Sequence, residues 1–144
     1  MAIDRAALAV GALRLASGVS FLADPLRANR LWGESEDPGP SARLLLRSMG
    51  YRDALIGGLL MGSALRGRDT RGWFLASGGA DTADLLGGWS VHGDLKRGQQ
   101  VRGLGGAVVG IGVGLWGATR RRAAPAQNQV LASSSSERSR TAGS

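Results

Sequence analysis

Cysteine is absent, and histidine and lysine occur once each, as His92 and Lys96. The chain therefore has neither a disulfide framework nor a thiolate metal site. One histidine without cysteine gives no basis for zinc. His92, followed by Gly93 and Asp94 at the end of an apolar run, reads as an exposed loop histidine. Ser17, Ser48 and Ser77 lack any His/Asp arrangement at a suggestive spacing, so nucleophilic catalysis has no support and no enzyme is expected. No cofactor is expected either. Gly112–Gly117 matches GxGxxG, but it lies inside an apolar helical run that ends in three arginines, without the strand that a dinucleotide fingerprint requires. The formal net charge is +7. Most of the arginines flank apolar segments, as membrane-border charges do, so nucleic acid is not expected as a partner.

What is abundant is glycine, 24 of 144 residues, against a usual share of about 7%. It shows no collagen period. The glycines sit within apolar runs, where membrane helices use them for close packing. Four such runs are present: Ala6–Ala23, Ala42–Leu65, Gly72–Val91 and Gly103–Thr119. The first spans about 27 Å as a helix. Arg14 interrupts its apolar core and no A-x-A site follows, which argues against a cleaved signal peptide. Pro25 ends it. Leu26–Trp32 is suited to the membrane interface, and Glu34–Pro40 to a solvated turn. The expected fold is all-α: a four-transmembrane-helix bundle over residues 1–122, antiparallel in sequence order, with a disordered polar tail over 123–144. Counting border charges sets Arg5, Arg66, Arg68, Arg71 and Arg120–Arg122 against Arg27, Arg30, Lys96, Arg97 and Arg102. That excess predicts cytoplasmic termini.

The charges within these runs carry the functional question. Arg14, Arg47, Arg52, Asp53, Asp81 and Asp84 fall in or near apolar spans, three of each sign. A charge at the bilayer centre costs about 2.5–3.5 kcal/mol on insertion scales. The expectation is a neutral cluster in the bundle interior, with Arg14 paired to Asp81 or Asp84 through its planar fork. Helical spacing supports an inward orientation. Ala7, Gly11, Arg14 and Gly18 share one face; Gly50, Asp53 and Gly57 share another; Ser77, Asp81, Asp84 and Gly88 form a stripe. A divalent cation at Asp53, Asp81 and Asp84 is disfavoured, because the arginines compete for the same oxygens. Gly58 and Gly62 form a GxxxG pair, and Gly106, Gly110 and Gly114 repeat every four residues as a packing ridge. Beside the lipid bilayer, that ridge is the expected contact for a second copy or a membrane-complex partner.

Arg14-Leu15 with Gly18, Pro25, Trp32-Gly33, Arg47, Gly50-Tyr51-Arg52-Asp53, and Trp73 leading to Asp81 and Asp84 form a recognisable series. Over Ala6–Thr119 it resembles a family of small four-helix bacterial membrane proteins, most familiar from actinobacteria and described only as a domain of unknown function. Gly-x-Arg-Asp and Asp-x-x-Asp are its most specific elements. The resemblance implies a four-helix membrane bundle in the bacterial plasma membrane and no activity. The function expected is that of a structural or accessory membrane protein packed around an Arg/Asp cluster. The alternative is a small ion- or proton-coupled carrier, or a ligand-binding membrane protein, using the same cluster.

Overall fold

A computed structural model describes residues 3–31, 39–94 and 97–120. Trp32, Lys96 and the proposed tail lie outside the described residues. The elements are α1 (Arg5–Ala23), α2 (Pro25–Leu31), α3 (Pro40–Leu65), α4 (Arg71–Ser90), the single turn α5 (Arg97–Gln99) and α6 (Gly105–Thr119). A 3-10 turn at His92–Asp94 and a wider π turn at Gln100–Leu104 bracket α5. Strands are absent among the described residues.

Local signals place the helix ends. Asp4 caps α1, its carboxylate accepting the Ala7 N–H at 3.1 Å. Pro25 opens α2 where its missing N–H costs nothing, so the segment suited to the membrane interface is a short helix with Pro25 and Ala28 buried. α3 begins at Pro40 and ends at Leu65, and is closed by Gly67, the position with φ of 63°. There the Gly67 N–H reaches Ala64 O at 3.2 Å and the Arg68 N–H reaches Ser63 O at 2.9 Å. This paired closure needs a left-handed residue, which glycine supplies without a Cβ clash.

Glycine faces then assemble the helices into two antiparallel pairs. In the first, Gly11 meets Gly57 and Met61 while Gly18 meets Gly50 and Ala54, so α3 runs opposite to α1. A Cβ at Gly57 would stand 2.5 Å from Leu15 N and 2.6 Å from Gly11 O. In the second, Gly117 lies on Phe74, Gly114 on Gly78, Gly110 on Asp81, and Leu104 on Gly88, so α6 runs opposite to α4. Among the described residues, Gly58 has nothing near its missing Cβ and Gly62 meets only Arg66, which caps the same helix, so this GxxxG pair makes no contact with another helix there.

Between the pairs, an apolar cluster of Ala7, Leu60, Ala64 and Phe74 closes one end, with Leu8, Val10, Trp73, Val113 and Ala118 packed against it. The start of α1, the end of α3, the start of α4 and the end of α6 thus meet at that end. Two stretches, Arg5–Ala23 and Gln100–Thr119, are long and apolar enough to cross a membrane. α3 and α4 are helical where four spans were expected, yet they fall outside that class. Arg43, Arg47, Arg52 and Asp53 in α3, and Asp81 and Asp84 in α4, lower their hydropathy.

Candidate functional site: an arginine and aspartate chain between the helix pairs

Each pair contributes charges at the middle of its helices. Arg14 is the central residue of α1, Arg52 and Asp53 lie near the middle of α3, and Asp81 lies near the middle of α4. Helical spacing carries Arg14 on the face that holds Gly11 and Gly18, so the close glycine contact with α3 brings its guanidinium beside Asp53.

The side chains connect in series. Arg14 Nη1 donates to Asp53 Oδ1 at 2.9 Å, and Arg14 Nη2 donates to Asp81 Oδ2 and, at 3.5 Å, to the Ser77 carbonyl. Arg52 binds Asp84 with both arms of its fork, Nη1 to Oδ1 at 2.8 Å and Nη2 to Oδ2 at 2.7 Å. It also reaches back to Asp53 Oδ1, at 3.4 Å from Nε and 3.3 Å from Nη2. The order is Asp81, Arg14, Asp53, Arg52, Asp84, and it ties α1 and α3 to α4. Planar guanidinium groups suit this, since each spans two carboxylates in fixed geometry.

Burial is graded along the series. Asp81 is 8% exposed. Asp53 is intermediate, and the Arg52 and Asp84 side chains are about a third exposed, at 30% and 34%. Gly110 stands directly on the Asp81 carboxyl, so α6 covers it with backbone.

Five of the six charges named from the sequence are thus brought together. Arg47 is not among them. It is exposed on α3 and forms no ion pair among the described residues. The reason is angular: six residues from Asp53, it lies about 240° round the helix. The expected balance of three against three therefore becomes three carboxylates against two guanidinium groups. Of the ridge glycines, Gly110 and Gly114 are occupied by α4 of the same chain, and among the described residues nothing lies within contact of a Cβ at Gly106. His92 is exposed. Its Nδ1 lies 2.7 Å from the Trp89 carbonyl, and its ring stacks on Trp89 at 5.2 Å.

A second charged contact escaped the sequence reading. Arg120 Nη2 donates to both Asp4 oxygens, at 2.7 Å and 2.6 Å, and Thr70 Oγ1 donates to Asp4 Oδ2 at 3.1 Å. The Arg120 guanidinium also lies over Phe74 at 4.9 Å and Trp116 at 4.8 Å. This clamp joins the starts of α1 and α4 to the end of α6, over the apolar cluster. The available signal was Asp4 standing just before an apolar run, a helix-capping position. Nothing in the sequence says which of three consecutive arginines it would meet.

Burial by itself would raise the Asp4 pKa. The hydrogen bonds from the Ala7 N–H, Arg120 and Thr70, and the Arg120 charge, outweigh burial and hold the carboxyl below its ordinary value. A folded pKa below the unfolded one gives stability that is present above the unfolded value and lost as pH falls through the folded one. Acidification below about pH 4 is therefore expected to loosen this end. Stability measured against pH in the wild type and in Asp4→Asn checks it: the variant should be less stable at neutral pH, and the gap should close in acid.

Fold and site together define a class: an all-helical protein of two glycine-packed pairs whose junction is an interior chain of opposite charges. Within that class the chain belongs to a known family. The family model described as a domain of unknown function (DUF4267) matches residues 11–117. That range contains the whole series from Arg14 to Asp84 and leaves out Asp4 and Arg120. No curated protein and no solved structure matches the chain.

Proposed function

We propose that the chain is a small integral membrane protein of structural or accessory role, in which four spans, α1, α3, α4 and α6, pack around the arginine and aspartate series. One observation carries this reading: the polarity is inverted relative to a water-soluble bundle. The five charges of the series face one another, while large apolar side chains face outward, among them Leu13 at 73% exposure, Leu44 at 70% and Val109 at 67%. Only 22% and 11% of the two apolar stretches is buried. The core helix of a soluble protein would be mostly covered, and exposed apolar area on this scale marks a lipid or protein contact. Arg14, mid-helix and bonded to two other helices, argues against α1 as a signal sequence.

On this reading α3 and α4 cross the bilayer because their charges are paired in the interior, at a fraction of the cost of isolated ones. The Asp4 and Arg120 ends lie on one side, which the charge excess assigns to the cytoplasm of a bacterial plasma membrane. Lipid is the partner of the outward faces, and the Gly106 edge is what remains of the ridge for a second chain. The test is alkaline carbonate extraction of membranes containing the full chain. The protein should stay in the pellet, and release into the supernatant would remove the membrane reading. A second reading, a proton- or ion-coupled carrier or a ligand-binding membrane protein using the same series, is favoured by one observation, the unequal count of carboxylates and guanidinium groups.

A further inference from the structure

Three carboxylates and two guanidinium groups leave the series one negative charge in excess if all five are ionised. The groups facing Asp81 are Arg14 from α1, Asp53 from α3 and Asp84 on its own helix, and Arg52 of α3 joins the series through Asp53 and Asp84. α6 presents the Gly110 backbone and has no titratable side chain between Gly105 and Thr119. Among the described residues, no third arginine pairs with Asp53, Asp81 or Asp84. An uncompensated charge in apolar surroundings is expensive enough that the group takes a proton instead.

We propose that the junction of the two helix pairs is a binding site for one proton, held by the series as a unit and resting on Asp81. The proton comes from bulk water, adds to a carboxyl oxygen and brings the series from one excess negative charge to neutrality. Geometry selects Asp81. Asp84 uses both oxygens on Arg52, and Asp53 Oδ1 is shared by two arginines. Asp81 receives one guanidinium nitrogen, on Oδ2, and is the most buried of the three. Its other oxygen is the one left to carry hydrogen. Because the charge belongs to the series, removing any one carboxylate removes the need for the proton. In Asp84→Asn, two carboxylates face two guanidinium groups, and Asp81 ionises although its own contacts are unchanged.

This rests on the membrane reading, since water around the series would make an extra charge cheap. The experiment is infrared spectroscopy of the full chain in liposomes at neutral pH. It looks for the carbonyl stretch of a protonated carboxylic acid, separated from lipid esters by its downshift in deuterium oxide and assigned with isotope-labelled aspartate. The wild type should show one such band. Asp81→Asn should lose it, and so should Asp84→Asn. The wild-type spectrum decides the first point without any variant: no acid band at neutral pH overturns the proposal. A band that survives in Asp84→Asn, with helical content retained, overturns the charge-count argument. One that survives in Asp81→Asn overturns both the placement and the charge count. Carbonate extraction separates the two levels, since a protein that stays in the membrane and lacks the band retains the membrane reading and loses only the proton site.

Discussion

Replacing Arg14 by methionine is expected to destabilise the protein by about 3–5 kcal/mol, the cost of leaving buried charges without their partner. Methionine keeps the length and flexibility of the stem, so the loss is electrostatic rather than steric. Among the described residues Arg14 is the only guanidinium on Asp81, and it also supplies the short bond to Asp53. Its removal leaves the series with one guanidinium for three carboxyl groups, takes from Asp81 the donor on its Oδ2, and cuts the charged link from α1 to α4. Arg52→Met should cost less, because Asp84 is about a third exposed and recovers part of its solvation. Unfolding of the purified variants in bicelles measures both. Equal losses for Arg14→Met and Arg52→Met would contradict the graded burial of the series.

The second large effect falls on two neighbouring glycines with opposite expected signs. Gly57→Ala puts a Cβ within 2.5 Å of Leu15 N and 2.6 Å of Gly11 O. Those are backbone atoms of α1 and can yield only by separating the helices, so the loss should reach the upper part of the roughly 1–3 kcal/mol seen for overpacked cores. Separation also draws Arg14 away from Asp53, which adds to the loss. Among the described residues Gly58→Ala meets nothing within 4 Å, and it gains the helix propensity that alanine holds over glycine, up to about 1 kcal/mol. Thermal or denaturant unfolding of the two single variants, compared with the wild type, reads the difference. Similar behaviour of both would mean that the pairing face of α3 is misassigned.

The helical faces were legible because they follow from spacing alone. Gly11, Arg14 and Gly18 on α1, and Gly50, Asp53 and Gly57 on α3, share faces by arithmetic, and the two faces meet. Glycine content made close approach expected, and opposite charges in apolar runs made pairing expected. The same arithmetic, applied from Asp53 back to Arg47, would have turned Arg47 outward. What spacing does not contain is which helix meets which. Asp53 is held by both arginines, and Arg52 takes Asp84 where Arg14 takes Asp81. Those choices depend on the depth of each helix in the bundle and on three-dimensional closure. The contact from Asp4 to Arg120 spans nearly the whole chain and carries no local pattern beyond the helix cap. The use of Gly110 and Gly114 within the chain has a similar origin: a four-residue glycine repeat fixes a smooth face and leaves its occupant open.

The most direct measurement is a double-mutant cycle between Arg14 and Asp81, with Arg14→Met, Asp81→Asn and the double variant unfolded in the same bicelles. If the two side chains hold the helix pairs together through each other, Asp81→Asn will recover much of what Arg14→Met loses, and the losses will be strongly non-additive. Additive losses would mean that the two groups do not meet in the folded protein, and the account of a bundle joined by an interior charge series would fail.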